Sequence, residues 1–235
     1  NPMLRIPDIE GIASLAKKHN VTTVLDNTFG GLHNHGQFEI DYYVHSLTKY
    51  ASGHGDVMGG VVIADEERIK AIHELATSIG STMDPGAAYL ILRGLRTYHL
   101  RHARHSSSAL AVAEYLAASP LVDKVFYPGL KSDSEHELAT KQMDGCGAVL
   151  AFNLKADKTH TWAFIDALKL FATASSIGSA ESLVAPVKLY FAGDLDEQEL
   201  KQTGIKDSTV RLSIGLEHPD DLIDDLEKAF TKIFN

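Results

Sequence analysis

Lys49 is bracketed by two hydroxyl residues, in Ser46-Leu-Thr-Lys49, inside the stretch Asp41-Tyr-Tyr-Val-His-Ser-Leu-Thr-Lys-Tyr-Ala-Ser-Gly-His-Gly-Asp56. Hydroxyls beside an amine can hold an anionic group while the amine does covalent work. Alone, such a quartet reads as a surface lysine on a Ser/Thr-rich loop. Two further residues change that reading. Asp26 closes the β-branched run Val21-Thr-Thr-Val-Leu25, and Arg211 interrupts the apolar run Val210-Arg-Leu-Ser-Ile-Gly215. A strand-end acid is ordinarily a cap, and an arginine in a strand is ordinarily half of a structural Arg–Glu pair. An arginine among apolar neighbours is nevertheless costly without an anionic partner. Its planar fork matches a carboxylate in a way that lysine does not reproduce.

These residues need strands to place them. Val21–Leu25 and Tyr42–Val44 are short runs that read as buried strands, and each is followed at once by polar residues. Ligands of open α/β sheets sit beyond the carboxyl ends of strands, where Asp26 and the Ser46–Lys49 loop would lie. Helical spacing runs from Asp8 to Asn20, with Ile9, Ile12, Leu15 and Ala16 on one face and a basic last turn. Gly59–Ala64 reads as a strand and Glu66–Ile79 as a helix. A further helix opens at Met83-Asp-Pro-Gly, with Ala87, Leu90, Ile91 and Leu92 expected inside and Pro85 in its first turn. His102–Ala118 reads as a long amphipathic helix. Beyond it strands at Val125–Tyr127, Ala148–Leu154 and Val210–Gly215 alternate with helices at Thr159–Leu168 and Asp220–Phe234, and Phe171–Ser176 is extended.

The segments Asp26-Asn-Thr-Phe29 and His45-Ser-Leu-Thr-Lys-Tyr-x-x-Gly-His-x-Asp56 together resemble the Cys/Met-metabolism (trans-sulfuration) family of pyridoxal-phosphate enzymes. Its members include cystathionine γ-synthase, cystathionine γ- and β-lyases, methionine γ-lyase and the O-acylhomoserine sulfhydrylases. The likeness continues in Leu92-Arg-Gly-Leu-Arg-Thr97, in Ser176-Ile-Gly178 with Glu181-Ser-Leu183, and in Val210–Glu217. It implies fold type I, an α/β fold: a mostly parallel sheet in the large domain, incomplete here, and a smaller α+β C-terminal domain. The division falls at 1–100 and 101–235. Pyridoxal 5'-phosphate is then the cofactor. Lys49 carries it as a Schiff base, Asp26 keeps the ring nitrogen protonated, Ser46 and Thr48 bind the phosphate, and Asn1 donates to the ring's 3'-oxygen. Ser176 and Arg211 bind the substrate's α-carboxylate. The implied reaction is elimination or replacement at the γ- or β-carbon of a sulfur-containing or O-acylated amino acid. Methionine γ-lyase or O-acylhomoserine sulfhydrylase activity is an alternative, as is a catalytically silent subunit. A homotetramer built from dimers is expected by the same resemblance. Asn1-Pro2 and Asp8-Ile9 match positions inside the family's cofactor domain, so the chain is expected to be the C-terminal portion of a longer protein. Where many members carry Met-Thr-His, this chain has Val184-Ala-Pro-Val-Lys-Leu-Tyr-Phe-Ala192, and Tyr190 and Phe191 would make that pocket wall more aromatic.

Composition narrows the classes. The 235 residues are 44% hydrophobic with a formal charge of −9, which disfavours nucleic acid and acidic membrane as partners. No apolar run approaches the roughly 18–20 residues of a membrane span, and no signal-peptide pattern opens the chain. One cysteine, Cys146, cannot build a disulfide framework and suits a reducing, cytoplasmic setting. It reads as a small buried residue, since no His-plus-carboxylate pattern accompanies it. His33 and His35 could suggest a metal hydrolase. A loop offers them no fixed geometry and no third ligand, so they read as solvent-exposed or substrate-near. His99, His102 and His105 read as a solvated helix face.

Overall fold

The computed structural model describes residues 2–191 and 202–234, with Tyr190 and Phe191 described by their backbone alone. Two sheets are joined through a long helix. The first has the order β1 (Val24–Asp26), β2 (Tyr42–Ser46), β3 (Gly60–Ile63); β1 and β2 are parallel and β2 and β3 antiparallel. The parallel β1–β2 pair is the part expected; the antiparallel return of β3 is not. It follows from the lysine loop, residues 47–59, which folds back so that the Gly59 carbonyl accepts from the amides of Leu47 and Thr48 at 2.9 and 3.3 Å. With its ends pinned together, the chain re-enters beside β2 in the opposite direction.

Helix α1 (Ile9–His19) starts where the Asp8 carboxylate accepts from the Gly11 amide at 3.0 Å and ends at Asn20 in the left-handed region. It buries Ile9 and Ala13, whereas Ile12 and Leu15 stay exposed. Helix α2 (Glu66–Ile79) is capped by Asp65 and buries none of its residues. Helix α3 (Pro85–Leu95) has Asp84 as its cap and Pro85 in the first turn, and it buries Ile91 and Gly94 while Leu92 faces solvent.

Helix α4 (Tyr98–Ala118) joins this part to the second sheet. Its buried positions His102, His105, Ala109, Val112, Ala113 and Leu116 recur at three- and four-residue spacing. The same stripe that is aliphatic further along begins with histidines, so His102 and His105 are interior residues rather than a solvated face. The second sheet has the order β4 (Val122–Phe126), β5 (Val149–Leu154), β8 (Thr209–Ser213), β7 (Leu183–Pro186), β6 (Ala172–Thr173). Helices α5 (His136–Gln142), α6 (Lys158–Ala167) and α7 (Pro219–Phe234) complete the fold. All of β5 and β8 is buried, as in strands covered on both faces. Leu150, Phe152, Val210 and Leu212 meet Val112 and Leu116 of α4, Phe164 of α6 and Leu222 and Leu226 of α7 in the main core. The opposite face of the sheet turns toward the lysine loop. There Tyr50 packs with Tyr98, Ala148, Val149 and Ile177.

Candidate active site

The register of β1 with β2 pairs Asp26 with Val44, and the Asn27 amide donates to the Val44 carbonyl at 2.9 Å. Asp26 and the lysine loop therefore leave the sheet side by side, at the carboxyl ends of adjacent parallel strands. Asp26 is exposed and its Oδ1 accepts from the Thr28 amide at 3.0 Å. Thr28 in turn accepts from the Ser46 amide at 2.9 Å, which ties the start of the lysine loop to the Asp26 turn. Thr28 was not evident as a site residue from the sequence, where it was one polar residue of a longer motif.

Residues 47–51 form a wide, π-type turn closed by Ser52 N–H donating to the Leu47 carbonyl at 3.0 Å. Lys49 departs from helical values within it, at φ −92° and ψ −125°. The Thr48 hydroxyl accepts from the Gly59 amide at 3.0 Å and lies 3.3 Å from the Gly59 carbonyl. The next residue, Tyr50, is buried, and its hydroxyl accepts from the Ala148 amide at 2.7 Å, anchoring the turn to the second sheet.

Half-buried Lys49 donates from Nζ to the Ser176 hydroxyl at 2.8 Å. Burial pushes its pKa down, and the neighbouring Arg211 cation pushes it further the same way. Both effects favour the neutral, nucleophilic amine. Arg211 is 4% exposed, and one terminal nitrogen donates to the carbonyls of Ser175 and Ser176 at 3.1 Å each. Its partners across the sheet are Ala151 and Ala185. Such small neighbours leave room for the long side chain. The segment after Ser176 is held by Glu217, whose carboxylate accepts from the Ser182 amide at 2.7 Å and hydroxyl at 2.8 Å. Lys49, Ser176 and Arg211, far apart in the chain, thus form one continuous polar line.

The residues present fit pyridoxal phosphate. A lysine amine shifted toward its neutral form, an acid at the adjacent strand end, hydroxyls on the lysine loop and a guanidinium beyond the amine are the donor set that its aldehyde, ring nitrogen, phosphate and amino-acid partner require. Asn1 lies outside the described residues, as do the side chains of Tyr190 and Phe191.

Several other residues behave differently from the sequence reading. His35 is buried, with Nδ1 2.6 Å from the Asn27 side-chain oxygen, rather than solvent-exposed or near substrate. Asn27 donates to the carbonyls of Gly31 and Asn34, so it presents its oxygen to the ring and draws His35 inward. His33 lies between the Tyr98 hydroxyl at 2.8 Å and the Asp144 carbonyl at 3.0 Å. Among the described residues no group of three or more His, Cys, Asp or Glu could hold a metal ion. Cys146 is half-buried, and burial raises its thiol pKa to about 11, so it is unsuited to act as a nucleophile at neutral pH. No helix among the described residues is long and apolar enough to cross a membrane.

Residues 1–231 match the family model described as Cys/Met metabolism PLP-dependent enzyme. Cystathionine gamma-synthase 1, chloroplastic, of Arabidopsis thaliana is 40% identical over 235 residues, covering 99% of this chain and 42% of the relative. Cystathionine gamma-lyase of Sus scrofa is 38% identical over 233 residues, covering 97% of this chain and 58% of the relative. The crystal structure of cystathionine gamma synthase from Xanthomonas oryzae pv. oryzae in complex with aminoacrylate and cysteine superposes with a TM-score of 0.94 at 38% identity, over 99% of this chain and 61% of that one. The chain spans about half the length of the curated relatives it matches.

Proposed function

The chain belongs to the Cys/Met-metabolism family of pyridoxal-phosphate-dependent enzymes, and on that premise we propose that it serves an enzyme of trans-sulfuration. Its reaction is elimination or replacement at the γ- (or β-) carbon of a sulfur-containing or O-acylated amino acid, in the manner of cystathionine γ-synthase or γ-lyase. The supporting observation is the line from Lys49 through Ser176 to Arg211, which sets an amine kept toward its neutral form beside a buried guanidinium.

When bound, the cofactor supplies an electron sink for the charge left at the substrate's α-carbon. Lys49 would hold it covalently, Asp26 would keep its ring nitrogen protonated, and Ser46 and Thr48 would take the phosphate. Asn1 is assigned to the ring's 3'-oxygen by resemblance. The long 3.3 Å contact of the Thr48 hydroxyl with the Gly59 carbonyl is the one a phosphate oxygen can replace, while the Gly59 amide keeps the hydroxyl in place. Arg211 receives the substrate's α-carboxylate in a charge-assisted fork. Ser176 orients the Lys49 amine through its hydroxyl. Burial and Arg211 both shift that amine toward its neutral form, in which it can take the proton from the α-carbon and return it further along the substrate. Methionine γ-lyase and O-acylhomoserine sulfhydrylase chemistry use the same residues and differ in leaving group and acceptor.

We further propose that the enzyme is a homotetramer built from dimers and works in the cytoplasm. Exposed apolar residues on α1 (Ile12, Leu15), on α2 (Leu75, Ile79) and at the open sheet (Val24, Ile63) support an assembled state. A single cysteine suits a reducing compartment. The test is a product screen of the intact, cofactor-loaded protein against cystathionine, methionine, cysteine and O-acylhomoserines. A 2-oxo acid, homocysteine or cystathionine is expected, together with visible absorbance bleached by borohydride. The absence of both product and borohydride-sensitive absorbance would overturn the proposal.

A further inference from the structure

Arg101 of α4 is a buried cation outside the set of residues assigned above to cofactor and substrate, and it is 6% exposed. Its guanidinium donates four ways: Nε to the Thr97 hydroxyl at 3.1 Å, one terminal nitrogen to the Tyr50 carbonyl at 2.8 Å, and the other to the carbonyls of Ala51 at 3.2 Å and Gly94 at 2.8 Å. No carboxylate is among these partners. A buried charge needs compensation, and here it comes from carbonyl oxygens at two helix-like ends. Gly94 is in the last turn of α3, and Tyr50 and Ala51 end the lysine turn, where carbonyl dipoles present their negative pole.

The surroundings are shaped around this contact. A Cβ on Gly53, which has φ +72°, would meet an Arg101 terminal nitrogen at 1.9 Å. A Cβ on Gly94 would fall 2.3 Å from the Ser52 carbonyl oxygen and 2.7 Å from that of Ala51. Glycines therefore let α3 and the guanidinium reach the backbone immediately after Lys49. The conformation they grip is irregular: Lys49 itself departs from helical values, and the local bonds of the turn, from the Ser52 amide to the Leu47 carbonyl and from the Gly53 amide to the Lys49 carbonyl, leave the Tyr50 and Ala51 carbonyls to Arg101.

We propose that Arg101 is a positioning residue for Lys49, holding the carbonyls of the two residues after it against the ends of α3 and α4 so that the amine stays at Ser176 and Arg211. This rests on the assignment of Lys49 as the cofactor-bearing residue. Only a planar fork serves several carbonyls at once; a lysine ammonium cannot span them. Were the turn released, the amine would leave both its partly desolvated position and the field of Arg211.

The experiment uses the intact protein stripped of cofactor and re-exposed to pyridoxal phosphate, with borohydride trapping and peptide mass analysis reporting covalent labelling at Lys49 against time and pH. Arg101→Lys, at a temperature where its circular dichroism is native, should label about tenfold more slowly or worse. Its half-reactive pH should move up by about half a unit or more, because the displaced amine loses the two influences that favour its neutral form. A purely structural arginine would lower thermal stability and leave the pH midpoint of the folded protein where it was. Labelling at the parent's rate and midpoint overturns the inference. If Arg101→Lys does not fold, Thr97→Val decides: it removes one contact of the guanidinium and keeps the cation, so labelling about threefold slower supports the role and an unchanged rate overturns it. If the parent itself does not label at Lys49, the Lys49 assignment fails first, and that outcome is distinct from the others.

Discussion

Acidification between pH 7 and pH 5 should destabilise this protein through two histidines in one helix. His102 is 3% exposed and His105 fully buried, and the Nε2 atoms of both are without a hydrogen-bond partner among the described residues. A proton placed there would have nothing to donate to. Burial is the main cause that pushes both pKa values from 6.5 down to about 4; the neighbouring His33 and His105 add to it at His102, and Arg101 adds to it at His105. The unfolded chain accepts protons below its ordinary histidine pKa while the folded state refuses them. Their contribution is therefore complete above pH 6.5, and it is lost as pH falls through the window down to about 4. Each imidazole withdraws up to about 1.4 kcal/mol per pH unit in that window, or about 2 kcal/mol between pH 7 and pH 5, and the pair about 4 kcal/mol. His35 and His45, also lowered by burial, act in the same direction. Urea unfolding at a series of pH values measures the slope, and His102→Gln should remove about one histidine's share of it. A flat stability profile over this range, or an unaltered slope in the variant, would refute the reasoning.

Other expectations concern the site. Lys49→Ala should abolish borohydride-trapped labelling and turnover, read by mass analysis and product assay. Asp26→Asn should still bind cofactor, by absorbance, yet lose several orders of magnitude in kcat, because an amide cannot hold the ring proton by charge. Arg211→Lys should cost roughly 2–4 kcal/mol in kcat/KM, about 30- to 1000-fold, for every amino-acid substrate and not for an amine without the carboxylate. Gly94→Ala should lower stability by ~1–3 kcal/mol in thermal melts, since its Cβ must displace backbone rather than a side-chain tip.

Strongly punctuated segments were legible before any coordinates. Asp65 and Gly80 bound α2 at the predicted residues, and Asp84-Pro85 opens α3 as the capping rules require. Lys49, Ser176 and Arg211 could be named from long motifs, and the fold brings all three together. What escaped has physical reasons. β7, Leu183–Pro186, is short, ends in proline and follows a loop motif, so its pattern did not announce a strand. α5 is a polar seven-residue helix without a side-chain cap bond. Arg101, His102 and His105 stand among Arg and His residues that look solvated in one dimension; only the orientation of α4 turns them inward. β1 starts three residues later than its β-branched run, because pairing with Tyr42–Val44 rather than propensity sets its bounds.

The way Tyr50 is anchored also bears on the order of folding. Its hydroxyl reaches Ala148 across 98 positions of sequence, Lys49 reaches Ser176 across 127, and Arg101 reaches Tyr50 across 51. Helices such as α2 rest on local bonds and can form early, whereas every contact that defines the reactive amine is non-local and waits for both sheets. Closing such loops carries an entropic cost that grows only logarithmically with length, so stability tolerates the arrangement and kinetics bears it. β8, which carries Arg211, is the last strand of the described chain and the central neighbour of β5 and β7. A nascent or partly folded chain thus carries an ordinary lysine in solvent. Its amine reaches the half-buried place beside Ser176 and Arg211 only once β8 has joined the second sheet.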